Sequence, residues 1–187
     1  MNFDPNGVGR INLFALVIYI PDPLGGFLDA LRKELAPTCI PHAHVTILPP
    51  RPLAAKPEAA CEAARNLVAE FAPFELEAGE VEIFPATDVI YIGLRRGAAE
   101  LRQMHKALNT GPLAFQEPFP YYPHITVAQN LTPEQVQPLY ADARRRWAEF
   151  REPRTFPGAT AAFVQSTNCG TWVDLANVNL GAVGLVK

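Results

Sequence analysis

The chain has 187 residues, 49% hydrophobic and 19% charged, with a formal net charge of −3. That balance supports a globular core and excludes a disordered chain; the slight negative charge excludes a protein that coats duplex nucleic acid through broad electrostatics. Three cysteines (Cys39, Cys61, Cys169) lack CxxC or metal-ligand spacing and read as free thiols, and with neither a signal-peptide pattern nor an apolar run that spans a bilayer the expected location is the cytoplasm.

Residues 13–20, rich in Leu, Val, Ile and Tyr, are expected to form a buried strand. Asp22 is placed to cap a helix that Pro23 begins and that runs to about Leu35, with Leu24, Phe27, Leu28, Leu31 and Leu35 at helical spacing. A proline-bearing loop leads into His44-Val45-Thr46-Ile47, read as a strand. Residues 58–71 read as a second helix, and 74–84 as a strand with one wet face.

Then the pattern restarts. Val17-Ile18-Tyr19-Ile20 recurs letter for letter as Val89-Ile90-Tyr91-Ile92, followed by a helix over 98–108, a proline-rich loop and His124-Ile125-Thr126-Val127. A helix over 133–150 and strands near 159–165 and 171–178 close the chain. The repeated strands lie 72 residues apart and the His-x-Thr stretches 80, which assigns eight extra residues to the loop at 110–120. Recurrence of elements in one order signals an internal repeat. The expectation is an α+β fold: a strand–helix–strand–helix–strand unit duplicated about a pseudo-two-fold axis, its two mainly antiparallel sheets lining a central cleft. Residues 1–187 are expected to be one domain of two such lobes, and a monomer.

Within an extended strand, His and Thr of each tetrapeptide share one face and the two aliphatics share the other. The aliphatic face can bury while the other presents an imidazole beside a hydroxyl. Two such faces across a groove suit acid–base chemistry on a phosphate. Imidazole titrates near neutral pH, so one ring can serve as base and the other as acid. The hydroxyls can donate to charge that develops on phosphate oxygens.

Two H-hydrophobic-[TS]-hydrophobic motifs, one per half, resemble the two-histidine (2H) phosphoesterase superfamily, and their settings at 41–50 (PHAHVTILPP) and 121–127 (YYPHITV) are similar to its bacterial 2′-5′ RNA ligase-like branch. The resemblance implies a bilobal α+β fold and a catalytic set of His44, Thr46, His124 and Thr126. It implies a cyclic phosphodiester of a nucleotide or RNA end as substrate, with 2′-5′ RNA ligation as the reverse reaction in some members, and no metal or other cofactor. The alternative is a catalytically silent phosphate- or nucleotide-binding module of the same fold.

Other residues are weighed one by one. His42 extends the face of His44 and is either a substrate-touching rim residue, a solvent-facing side chain, or half of a zinc site with His44 that lacks further ligands. Tyr121 and Tyr122 either contact substrate or pack into the core, and Phe163 and Trp172 invite the same choice. Arg51 and Arg95-Arg96 are candidates for a phosphate grip. Arg144-Arg145-Arg146 reads as a solvated helix end, and His105 as a surface or packing residue.

Overall fold

The apolar run near the start of the chain is β1 (Arg10–Tyr19) in the computed structural model, which describes residues 9–40 and 42–181. Phe14 through Ile18 are buried, facing a core on one side of the strand and a small cluster on the other, so the run carries no polar alternation. α1 (Leu24–Leu35) starts one residue later than expected, with Pro23 as its cap position. Asp22 still contributes, accepting the Gly26 N–H at 2.8 Å. β2 (His44–Arg51), α2 (Pro57–Ala69) and β3 (Phe74–Ile83) complete the first half.

The second half contains β4 (Ile90–Arg96), α3 (Ala98–Leu108), a 3-10 turn (Gly111–Leu113), β5 (Ile125–Ala128), α4 (Pro133–Glu149) and β6 (Thr155–Gly158). β7 (Thr160–Thr167) and β8 (Trp172–Asn179) follow. Pro133 begins α4, and the Gln135 side chain accepts the Thr132 N–H at 3.0 Å to close its first turn. The short β6 has no counterpart in the sequence reading. Its burial alternates, with Phe156 and Gly158 inward, but four residues that include Pro157 and end in glycine are too short to announce a strand, and a strand with proline belongs at a sheet edge, where it lies.

Two four-stranded sheets result, ordered β2-β1-β7-β8 and β5-β4-β3-β6, with every neighbouring pair antiparallel. The sheets correspond strand for strand, β2 with β5 and β1 with β4. β3 is built by the first half yet lies in the second sheet, and β7 takes the matching place in the first. The helices interlock as well: α1 packs on β5 and α4, while α3 packs on β2 and α2. Leu16, Ile18, Val45 and Ile47 of one sheet and Ile90, Ile92, Ile125 and Val127 of the other belong to one continuous apolar core.

The register corrects one detail of the repeat. Val17 lies opposite Thr46, Ile18 opposite Val45 and Tyr19 opposite His44. In the second sheet Tyr91 lies opposite Thr126 and Ile92 opposite Ile125. The structural equivalent of Val17-Ile18 is therefore Tyr91-Ile92, two residues out of step with the letter repeat. A slip of two keeps each side chain on its face, so the pattern looked consistent. Ile18 precedes Val45 by 27 residues and Ile92 precedes Ile125 by 33, so the second copy is longer by six residues rather than eight. The extra length falls between α3 and His124, at 109–123, as expected.

Candidate active site

β2 and β5 are edge strands of their sheets and lie against each other. Burial follows the same sequence along both approaches. His42 and Tyr122 are exposed, Ala43 and Pro123 buried, His44 and His124 half-buried, Val45 and Ile125 buried, Thr46 and Thr126 half-buried. The alternation predicted for the tetrapeptides is thus present in both, with the aliphatics in the core and His and Thr on the opposite face.

Both imidazoles are anchored alike. His44 Nδ1 lies 2.6 Å from the His42 carbonyl oxygen, and His124 Nδ1 lies 2.7 Å from that of Tyr122. A carbonyl only accepts, so Nδ1 carries the proton and each neutral ring leaves Nε2 as a base. The two rings sense each other, since charge on His124 disfavours protonation of His44. Among the described residues neither Thr46 nor Thr126 has a protein partner for its hydroxyl.

Surroundings separate the two histidines. Each ring keeps an open edge while protein packs around the rest, and this burial lowers both pKa values from 6.5. His44 falls to about 4, because the Arg32 guanidinium and His42 add positive potential to the burial, partly offset by the carbonyl that accepts from Nδ1. Beside His124 stand aromatic rings instead: Phe84 and Tyr91 meet it edge-on, with centroids 4.9 and 5.5 Å away.

Each half sets on the strand beside its histidine strand a tyrosine whose hydroxyl donates to a carboxylate. Tyr19 reaches Asp174 at 2.6 Å and stacks on His42 at 3.8 Å, and Tyr91 reaches Glu82 at 2.9 Å and stacks on Phe84 at 3.8 Å. Continuing the β4–β5 register sets Gly93 beside His124, where Tyr19 stands beside His44. A Cβ at Gly93 would lie 3.0 Å from a Glu82 carboxylate oxygen, so glycine leaves room for that carboxylate. A hollow of about 220 Å³ is lined by Tyr19, Pro21, Pro157 and Ala162, and neither imidazole lines it.

The model of the 2′-5′ RNA ligase superfamily matches residues 20–168. The chain belongs to this superfamily, the 2H phosphoesterases. Among curated relatives it is similar to a protein of Halalkalibacterium halodurans that carries a phosphoesterase name, at 26% identity over 66% of this chain and 73% of that protein. A Geobacillus kaustophilus protein of the same kind of name is 24% identical over 74% of this chain and 82% of that protein. Crystal structures share the fold: Escherichia coli LigT in apo form has a TM-score of 0.62 at 17% identity over 92% of this chain and 98% of LigT. A Thermus thermophilus protein has a TM-score of 0.63 at 18% identity, over 91% of this chain and 99% of that one. LigT has also been crystallised with 3′-AMP, with a TM-score of 0.61 to this chain.

In this 2H phosphoesterase several residues weighed as substrate contacts are otherwise engaged. Arg51 is 1% exposed and is engaged by Pro49, Asn109, Leu113 and Glu117, which corrects its candidacy as a phosphate grip. Arg95 pairs with Glu80 and Arg96 with Glu75, both on the exposed surface of the second sheet. Arg146 forms a fork with Glu34 of α1, both contacts at 2.9 Å, so the arginine run ties α4 to α1. Phe163 stacks on Phe14 in the core, whereas Trp172 is 41% exposed on β8. His105 is a packing residue, paired with Glu117 at 2.8 Å. Among the described residues no three His, Cys, Asp or Glu side chains gather as a metal site, and no helix is long and apolar enough to cross a membrane.

Arg32 was missed from the sequence. It lies on the stripe edge of α1, and its guanidinium reaches the Thr126 carbonyl at 3.5 Å. Its signal was available only through the repeat: Leu28, Leu31 and Leu35 match Leu101, Met104 and Leu108, which aligns Arg32 with His105.

Proposed function

We propose that the chain is a phosphodiesterase that opens cyclic phosphates, such as a 2′,3′-cyclic nucleotide or RNA end, by two-histidine acid–base catalysis without a metal. The observation that carries this reading is the matched pair of imidazoles, each held by Nδ1 and each beside an unengaged threonine hydroxyl. A single such His-x-Thr face is common in strands; a matched pair on two edge strands that lie against each other, in this superfamily, supports a shared site.

The roles divide by surroundings. His44, next to Arg32, resists a proton and acts as base, drawing the proton from water through Nε2 as that water attacks phosphorus. His124 has no arginine among the groups that shift it and takes up a proton when the anionic phosphate arrives. It then donates that proton to the departing ribose oxygen as the P–O bond breaks. Thr46 and Thr126 donate to the non-bridging oxygens. In the ligation direction the two histidines exchange roles. His42 and Tyr122, exposed two residues before each histidine, are the proposed contacts for the rest of the substrate. Arg102 lies 5.6 Å above the Tyr122 ring and adds a cation there.

The test is a panel of 2′,3′-cyclic nucleotides and cyclic-phosphate-ended oligonucleotides, assayed with EDTA present. His44→Ala and His124→Ala are each expected to lower turnover about 10²–10⁴-fold. Native rates in both variants would reject the mechanism, and loss of activity in EDTA that is restored by a divalent cation would reject metal independence. Binding without turnover on every member of the panel would favour the silent binding module.

A further inference from the structure

We propose that Tyr121 is a positioning residue that sets the spacing between the two imidazoles, and that the cluster of buried Arg51 with half-buried Glu117 and His105 holds it in place. The inference rests on the two-histidine reading above. Consecutive residues serve both half-sites. The Tyr121 hydroxyl donates to the Thr46 carbonyl at 2.7 Å, while the Tyr122 carbonyl accepts from His124 Nδ1. Adjacent Cα atoms across a trans peptide are fixed about 3.8 Å apart. One dipeptide therefore links the strand of His44 to the ring of His124, and a shift at Tyr121 changes their separation.

The bond from Tyr121 meets a real need. β2 is an edge strand, with no hydrogen-bonded strand beyond it to satisfy outward backbone groups. Burial raises the pKa of the Tyr121 phenol, so it stays protonated and remains a donor. Its ring lies flat on His105, with centroids 4.0 Å apart and planes within 2°. His105 Nε2 donates to Glu117, whose carboxylate also receives Arg51. Arg51 belongs to β2 itself and further binds Asn109 and the Leu113 carbonyl. The links form a closed loop: from β2 through Arg51, Glu117, His105 and Tyr121 back to Thr46 on β2.

This brace is built only on the His44 strand, with no equal on the His124 strand. Asn109, Leu113, Glu117 and Tyr121 all lie in the segment that is longer in the second copy. At the equivalent place, Arg32 reaches the Thr126 carbonyl at 3.5 Å, a much weaker contact. Simple packing would explain the Tyr121 ring but not the aim of its hydroxyl.

Tyr121→Phe keeps the ring and its stack on His105 and removes only the hydroxyl. On a cyclic phosphate turned over by the native enzyme, kcat should fall about 10- to 100-fold, the cost of a small misalignment, with KM changed by less than about threefold. The thermal midpoint should stay within a few degrees of native. A kcat within about twofold of native overturns the proposal, as does a loss of kcat matched by a loss of folded protein. His44→Ala is assayed on the same substrate. If that variant keeps its activity, the two-histidine reading itself fails, an outcome that Tyr121→Phe alone would not produce.

Discussion

A histidine whose Nδ1 is committed to a carbonyl has one nitrogen left for chemistry, and its neighbours decide whether that nitrogen is protonated. Burial places both free-enzyme imidazoles below 6.5, with His44 near about 4. The base must be neutral and the acid protonated, so kcat/KM should rise with pH as His44 loses its proton and fall as His124 loses its own. The optimum of kcat/KM is therefore expected on the acid side of neutrality, with limbs that belong to the coupled pair. Bound phosphate favours imidazolium, so the basic limb of kcat should lie at higher pH than that of kcat/KM. Measuring both profiles checks the order, and a kcat/KM optimum well above pH 7 contradicts it. Arg32→Gln removes a cation that opposes protonation of His44, and should move the acidic limb upward. Arg51 poses a stability question instead. Truncating it to Ala empties a fully buried site and leaves half-buried Glu117 without its main partner, so urea unfolding should show a loss of about 3–5 kcal/mol.

At the level of elements, the aliphatic alternation of the two tetrapeptides dictated both half-sites because these two edge strands bury only one of their faces. The same alternation concealed the two-residue slip of the VIYI repeat, since a period of two is blind to even displacements. β6 was illegible for a different reason: its pairing with β3 is made by backbone, and four residues that include Pro157 are too short to announce a strand. Arg51 and Glu117 were misread or passed over because their pairing spans 66 residues, and a charged side chain in a buried cluster looks the same in sequence as one in solvent. Local punctuation was more legible, although not at Gly97. That residue begins α3 at φ +84°, and a Cβ there would meet Leu76 at 2.5 Å and the Glu75 carbonyl at 3.0 Å. Gly97→Ala should lower stability by about 1–3 kcal/mol, through strain at a left-handed position and the displacement of Leu76. Thermal unfolding against native protein measures it; an unchanged midpoint would mean that the α3 start relaxes freely.

On the scale of the whole molecule, the halves that the repeat suggests are not built as separable bodies. β1 is paired on one side by β2 of its own half and on the other by β7, which lies far along the chain. β3 departs to pair with β4 and β6, and α1 packs on β5. A fragment of residues 1–86 would therefore leave β1 with an unpaired edge, β3 with no sheet and the apolar stripe of α1 uncovered. Its partner, 87–187, would leave β7 without β1 and β4 without β3. Exposed edges and apolar faces of this kind do not support a cooperative core. Neither fragment is expected to unfold with a cooperative transition by itself, whereas mixing them should restore one, together with turnover, since the break falls in the loop between β3 and β4. Circular dichroism and denaturant titration of each piece and of the mixture provide the measurement. A cooperative transition in either isolated piece would show that its half-site can assemble alone, and that the exchange of strands between the sheets is not what joins the two histidines.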